Sequence, residues 1–402
     1  MRTYLILIII AMVVTNGCSS GNQSKDGLPT INVKKKYPVK EIVLSDIADV
    51  TYVHLNTENE DYLYRGAIRY ISENSIVVVD ISLGSILFFS KDGNPKSRFN
   101  RYGEGPEEYS NKNFFIVYDE AADDVFVNAT GRITISDHSI PVYSSTGEYK
   151  RKLILPACPT PLVNFDNQSL FVYDMQNQYK KITGKSADLN SQLYDSSYYR
   201  IAKTDGEILE YVNFPNNKID LTDRGPTNKS IQNYNRIVNS VAGLFLCNPE
   251  SDTIFLYNKD KTLTPVICKT PLVSKLNPKI VMSDFVEVER YQFIQVQTLF
   301  DMAKMLKIQW EEQFKYYMYD KQTGEIFRQK IILPDYIGKE FVIRSHLSYF
   351  VGNEMLMIFD LNLFELKQAY RENKLSGELK TLVATLDETK DNEVYVFARF
   401  KE

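Results

Sequence analysis

Apolar residues in this chain fall in short runs, each ended by a cluster of Gly, Asp, Asn, Ser or Thr, the pattern of closely spaced β-strands. One unit recurs: an apolar strand ends in an aromatic-rich stretch, a polar turn follows, and a second strand leaves it. Leu87-Phe88-Phe89-Ser90-Lys91-Asp92-Gly93, Val142-Tyr143-Ser144-Ser145-Thr146-Gly147 and Tyr199-Arg200-Ile201-Ala202-Lys203-Thr204-Asp205-Gly206 are three copies. Phe255-Leu256-Tyr257-Asn258-Lys259-Asp260-Lys261 is a fourth, without the glycine, and Tyr317-Met318-Tyr319-Asp320-Lys321-Gln322-Thr323-Gly324 is a fifth. Asp-Gly and Thr-Gly supply the positive φ that a tight hairpin needs. The strand after each turn then runs into proline, at Pro156, Pro215, Pro271 and Pro334, where it must leave its sheet. A third marker agrees: strands upstream of the hairpins end in Asp80, Asn128, Asp174, Asn248 and Asp360, residues suited to capping the next turn.

The prolines recur roughly every 58 residues, somewhat long for a four-stranded propeller blade. Insertions account for the excess. About six such units fit between Tyr62 and the C-terminus, with junctions near Glu108, Pro156, Pro215, Pro271 and Pro334. The last unit lacks an outer strand, and Ile31 to Leu55 is available to complete it, which removes an exposed edge. The expected fold is therefore all-β: a six-bladed β-propeller closed by an N-terminal strand, with a helical insertion in the last blade. Within Leu361 to Lys390, Leu363, Leu366, Tyr370, Leu375, Leu379, Leu382 and Leu386 lie at helical spacing, and Ser376-Gly377 divides them into two short helices whose apolar stripe should pack on the blade. Gln176 to Ser197 and Asn216 to Ser230 read as polar loops, and Lys275 to Glu289 as a mixed insertion with room for a helical turn.

Composition changes this picture mainly at the N-terminus. The net charge of −4 and pI near 5.7 carry no basic excess, so nucleic acid is not an expected partner. Met1-Arg2 precedes an apolar run from Tyr4 to Val14 that is too short to span a hydrocarbon core of about 30 Å. Thr15-Asn16-Gly17-Cys18 follows, and then the polar stretch Ser19 to Asp26. This resembles a bacterial lipoprotein signal, which implies cleavage before Cys18, a lipid on its thiol and a membrane as partner. Residues 1–17 then form the signal peptide, 18–30 the lipidated cysteine and flexible tether, and 31–402 the propeller. Cys158, Cys247 and Cys268 remain. Cys247 and Cys268 fall on the second and fourth strands of one blade, about 9–10 Å apart. A disulfide needs Cα atoms within about 7 Å, so no bridge is expected.

The densest cluster of Gly, Pro and charge is Arg101-Tyr102-Gly103-Glu104-Gly105-Pro106-Glu107-Glu108-Tyr109, at the first blade junction. With Leu44-Ser45-Asp46-Ile47-Ala48-Asp49, Tyr52-Val53-His54-Leu55 and the lipobox, it resembles the six-bladed β-propeller lipoproteins common in Bacteroidota, which show Gly-x-Gly-Pro-x-Glu-Tyr at this junction. The motif maps onto Gly103, Gly105, Pro106, Glu108 and Tyr109. The resemblance implies an NHL-like propeller and an envelope address, without a common activity. The stretch after Cys18 has no acidic cluster, which favours the periplasmic face.

The junction has two readings. Gly103 and Gly105 permit an unusual backbone path, with Tyr109 buried between blades and Glu108 accepting from loop amides. In the other reading, Arg101, Glu104, Glu107, Glu108 and Tyr109 present charge to a ligand. Arg344 and His346, near the start of the innermost strand of blade six, are further ligand-facing candidates. His54 and His138 have no partner at metal-ligand spacing, and there is no nucleophile elbow, phosphate loop or zinc signature. No catalytic or metal-ligating residues and no cofactor are predicted. Calcium held in the channel by oxygens from several blades would leave no local spacing, so it stays open. The expected function is a lipid-anchored, monomeric binding module for a peptide, glycan or protein. The alternatives are a metal-dependent lyase or hydrolase at the channel mouth, and an accessory subunit of an outer-membrane transport complex.

Overall fold

The computed structural model describes residues 27–400 apart from 58–59, 130–138, 156–158, 175–196, 216–236, 250 and 301–308. The expected signal peptide, Cys18, the expected tether to residue 26, Cys158, His138 and nearly all of the two polar insertions lie outside the described residues.

Three N-terminal strands come first: β1 (Thr30–Asn32), β2 (Val39–Val43) and β3 (Ala48–His54). Six sheets then follow in chain order. Blade one holds Gly66–Ile71, Ile76–Asp80, Ser85–Phe89 and Pro95–Asn100. Blade two holds Phe115–Asp119, Asp124–Asn128, Ser139–Tyr143 and Tyr149–Ile154, and blade three Pro159–Asn164, Ser169–Asp174, Tyr198–Ala202 and Ile208–Tyr211. Blade four holds Ile237–Asn239, Gly243–Leu246, Thr253–Asn258 and Leu263–Thr270. Blade five holds Ile280–Glu287, Tyr291–Thr298, Phe314–Asp320 and Glu325–Ile332. Blade six holds Ser348–Val351, Glu354–Leu361 and Val394–Phe400, and its fourth strand is β3, antiparallel to Val394–Phe400 from His54↔Val394 to Ala48↔Phe400. The fold is a six-bladed β-propeller closed by its N-terminal strand.

Strand periodicity explains how the blades stack. Side chains on the second strand of blade one alternate: Ile76 and Val78 pack with blade six, Val77 and Val79 with blade two. Middle strands face a neighbour on both sides, so Ile76–Asp80 is buried throughout, whereas the outer strand Pro95–Asn100 alternates between half-buried and exposed, with Phe99 alone buried. The same partition repeats around the ring, giving one apolar layer per pair of blades.

The five hairpins fall where the repeat places them, between the third and fourth strands. Gly93, Gly147, Gly206 and Gly324 take φ of 82°, 85°, 89° and 71°, and in the copy without glycine Lys261 takes φ 70°. The turn also seats against the preceding blade: a Cβ on Gly147 would lie 2.5 Å from Phe99. The insertion in blade six forms α1 (Leu363–Arg371) and α2 (Gly377–Thr385). Leu363, Leu366, Ala369, Leu375, Leu379 and Val383 bury their side chains in the layer between blades five and six. Cys247 and Cys268 are both free.

Two expectations need correction. Lys275 to Glu289 is not an insertion: Ile280–Glu287 is the first strand of blade five, and the helical turn sits at its edge, Val273–Lys275. The N-terminal segment also does more than close the ring. β1 adds a parallel fifth strand to blade four and β2 another to blade five, before β3 completes blade six. Residues 30–54 thus form a belt over three consecutive blades.

Candidate functional site

The first strands of neighbouring blades stand beside one another around the channel. Between blades six and one, at the end of the ring where chains enter those strands, lies a cavity of about 420 Å³. Tyr64, Arg65 and the strand Gly66–Arg69 form one wall, and His346, Leu347 and Tyr349 the other. Ile358, Asp360, Glu393 and Tyr395 line it further.

Local chemistry fixes both walls. Asp80, at the end of the second strand of blade one, is buried and accepts from the Ser82 amide at 2.9 Å, the Ser82 hydroxyl at 2.7 Å and the Arg65 amide at 3.4 Å. The Ile81 amide donates to Arg65 O at 2.9 Å. The strand-ending aspartate therefore does cap a turn, and in doing so it holds Arg65 at the rim. Opposite, Ser345 donates its amide to Asp284 Oδ2 of blade five at 2.9 Å, and its hydroxyl makes a short bond to Asp284 Oδ1. Ser348 Oγ donates to Ser345 O at 2.6 Å, and the Ile343 amide to Gln329 Oε1 at 3.0 Å. Arg344 and His346 are carried on this pinned turn. Tyr349 Oη donates to Ile68 O at 2.9 Å, and the hydroxyls of Tyr64 and Tyr395 meet at 2.6 Å, both joining blade six to the segment entering blade one.

The inner end is cationic. Arg69 lays its guanidinium over the Phe115 ring, 4.9 Å from its centroid. Burial pulls its pKa down, opposed by Tyr349. The His346 ring is open to the cavity yet crowded by protein. Burial, then Arg344 and Arg69, push its pKa down to about 4. Among the described residues, neither Arg69 nor Arg344 has a carboxylate within salt-bridge reach, and the Nε atoms of both are buried without a partner. Burial also lifts Asp284 to about 6, against the pull of Ser345, Phe285 and Arg344. The outer end is acidic: Asp360 is exposed, and Glu393, raised by burial, accepts from Leu363 and Asn362 at the start of α1.

Of the residues expected to face a ligand, His346 lines this cavity and Arg344 acts on it electrostatically. The junction loop is elsewhere. Arg101 donates to Gly147 O at 2.9 Å in the outer hairpin of blade two, and Glu107 O accepts from Tyr143 Oη at 2.7 Å. Arg101, Glu104, Glu107 and Glu108 are exposed, and none lines the cavity. Tyr109 is not presented to solvent. It is 2% exposed between blades one and two, donates to Gly84 O at 2.6 Å and accepts from the Arg101 amide at 3.0 Å. Glu108 Oε2 accepts from the Gly105 amide at 2.7 Å. The two motif glycines avoid left-handed φ, which corrects the expected backbone role. Gly103 is needed for room, since a Cβ there would lie 1.9 Å from Glu108 Oε2.

Sequence reasoning missed Arg69, Arg65 and the three tyrosines. A signal was present: Ala67-Ile68-Arg69-Tyr70 sets a charge inside an innermost strand, where it must meet the channel. Among the described residues, no three His, Cys, Asp or Glu side chains converge as metal ligands. A wider cleft of about 770 Å³ lies between the outer part of blade six and blade one, but its Arg399 pairs with Glu354 and its His54 faces Asp391 at 3.7 Å.

The domain of unknown function DUF4934 matches residues 28–399, the ring together with its belt. The chain belongs to the DUF4934 family. No curated protein matches it. The DUF4934 ring is similar in fold to a solved Bacteroides fragilis protein described as exported, at TM-score 0.56 and 17% identity over 90% of this chain and 99% of that one. A Bacteroides vulgatus member of the DUF4221 family also matches, at TM-score 0.45 and 13% identity over 88% of this chain and 97% of that one. At these identities the likeness extends to the fold of DUF4934 and no further. Among the described residues of this DUF4934 chain, no helix is long and apolar enough to cross a membrane.

Proposed function

We propose that this protein is a binding module of the cell envelope, held to a membrane by lipid on Cys18, with its periplasm-facing ring engaging a ligand at the cavity between blades six and one. The observation that carries the reading is the cavity itself, lined by Arg69 and His346, with no carboxylate among the described residues in salt-bridge reach of Arg69. A guanidinium left without an acid partner at a concave polar surface is suited to meet an acidic or polar group of a ligand. The rim supports the same reading. Ile81, Leu83 and Phe115 are exposed by 42%, 55% and 55%, which sets apolar contacts beside the polar pocket.

The test is a chain starting at Ser19, probed on glycan and peptide arrays beside its Arg69→Ala and Leu83→Ala variants. Ligands that bind the parent and lose binding in Arg69→Ala support the proposal. Binding unchanged in both variants, or no binding on either array, overturns it. For the anchor, Cys18→Ala should move the full chain from the membrane to the soluble fraction, and retention in the membrane refutes lipidation.

A further inference from the structure

We infer that the inner end of this cavity is a carboxylate subsite, and that its ligand is an acidic sugar whose carboxylate meets Arg69, with the Arg344 charge drawing it in. This rests on the binding-module reading and specifies its ligand class. Two cationic or protonatable groups line the cavity from two blades, Arg69 from the first strand of blade one and His346 from the turn entering blade six, and Arg344 on that same turn adds its charge. Neither arginine is paired with an acid, whereas His346 is neutral at neutral pH: both arginine Nε atoms lack acceptors, and no carboxylate among the described residues reaches either guanidinium. Asp284, which feels the Arg344 charge, spends its oxygens on the Ser345 amide and hydroxyl and the Phe285 amide. A planar guanidinium with free N–H donors matches a carboxylate in bidentate geometry. Arg69 is further fixed by its stack on Phe115, so little side-chain freedom is left to lose on binding.

The rest of the lining selects what carries that carboxylate. Asp360 and Glu393 at the outer end oppose a dianion, which disfavours a phosphate monoester and favours a single negative charge on a neutral body. Asp360, Glu393 and the Tyr64 and Tyr395 hydroxyls offer acceptors for several ligand hydroxyls, while Leu347, Tyr349 and Ile358 supply an apolar wall. A polyol ring with one carboxylate satisfies both ends. About 420 Å³ lies in the range of small-ligand sites and holds one or two sugar residues with water.

The experiment is titration calorimetry of the chain from Ser19 with the methyl glycoside of galacturonate, the methyl ester of that acid, neutral methyl galactoside, inorganic phosphate, and a tripeptide with free or amidated C-terminus. The acid should bind, with its ester and the neutral galactoside at least tenfold weaker. Arg69→Gln and Arg344→Gln should each lose at least tenfold for the acid while keeping the parent's unfolding midpoint, and Arg69→Lys should recover part of the loss. Equal affinity for acid and ester overturns the inference. So does phosphate displacing the acid at equal concentration, or binding of the free-acid tripeptide alone, which assigns the subsite to a peptide C-terminus. If the arrays yield an uncharged ligand that depends on Leu83 while every anion fails, the carboxylate subsite is wrong and the binding module stands. If both fail, both are wrong.

Discussion

One methyl group at Gly103 should cost the fold about 1 kcal/mol, with the whole cost routed through Glu108. The added Cβ would sit 1.9 Å from Glu108 Oε2 and 2.6 Å from its carboxyl carbon, so the carboxylate must swing away. It then gives up its 2.7 Å bond from the Gly105 amide. A hydrogen bond to a charged group is worth about 1.5–3 kcal/mol, and exposure of Glu108 lowers this to roughly 1–2 because water replaces the partner. Against this, Gly103 lies outside the left-handed region, so alanine should recover about 0.5 kcal/mol by restricting the unfolded chain. In a Glu108→Ala background the obstruction is gone, and Gly103→Ala should be neutral or slightly stabilising. The coupling energy between the two sites is thus about 1–2 kcal/mol. Urea unfolding of the four proteins measures it through midpoints at constant slope, which is preferable to melting because a ring this large shifts by only about 1 °C per kcal/mol. Additive effects, or a parent stabilised by Gly103→Ala, would refute the close-approach account of the motif.

Three further outcomes follow from buried charge and from the belt. Lys269 is 2% exposed, with its ammonium on Asp252 Oδ1 at 2.5 Å and on Pro271 O at 3.0 Å; Lys269→Met should cost about 3–5 kcal/mol in urea unfolding, and adding Asp252→Asn, which keeps an acceptor for the buried Val273 amide, should restore much of it. Asp284 has a folded pKa of about 6 against an ordinary 3.8, so its stabilising contribution is complete below about pH 4 and is lost as pH rises through 6. Relative to Asp284→Asn, the parent should therefore lose on the order of 3 kcal/mol between pH 4 and pH 7, and parallel urea midpoints across that range would refute the shift. A chain starting at Asp46 discards β1 and β2 but keeps β3, and should stay folded with a lowered unfolding midpoint; one starting at Asn56 opens blade six and should aggregate or lose its cooperative transition, as gel filtration and circular dichroism will show.

The ring was readable because its markers obey local rules. Gly93, Gly147, Gly206 and Gly324 announce hairpins through a backbone angle that side chains avoid, and Pro271 and Pro334 lie within two residues of a strand end, where a missing donor is tolerated. The pairings of β1 and β2 were invisible for the opposite reason. Thr30–Asn32 is too short to carry a pattern, and its register with Cys268–Thr270 is a property of the assembled ring. The first strand of blade five was misread because Ser283 and Asp284 interrupt its apolar run. Both are buried, and they are satisfied by Gln295 and Ser345, partners only the fold can bring. The candidate site was half legible. Arg344 and His346 stood out by position near a strand start, whereas Arg69 gains meaning only once blade six closes beside blade one.

That closure sets an order of events for the newly made chain. β1, β2 and β3 are synthesised before any blade exists, yet their partners lie in Cys268–Thr270, Arg328–Ile332 and Val394–Phe400. Blades one to three carry all their strands in local sequence and can form early, while the opening segment stays extended until the final strand is delivered. The slow step of folding should accordingly be the docking of residues 30–54. Until then the nascent protein exposes the rims of blades four to six, the stage at which a holdase would protect it most.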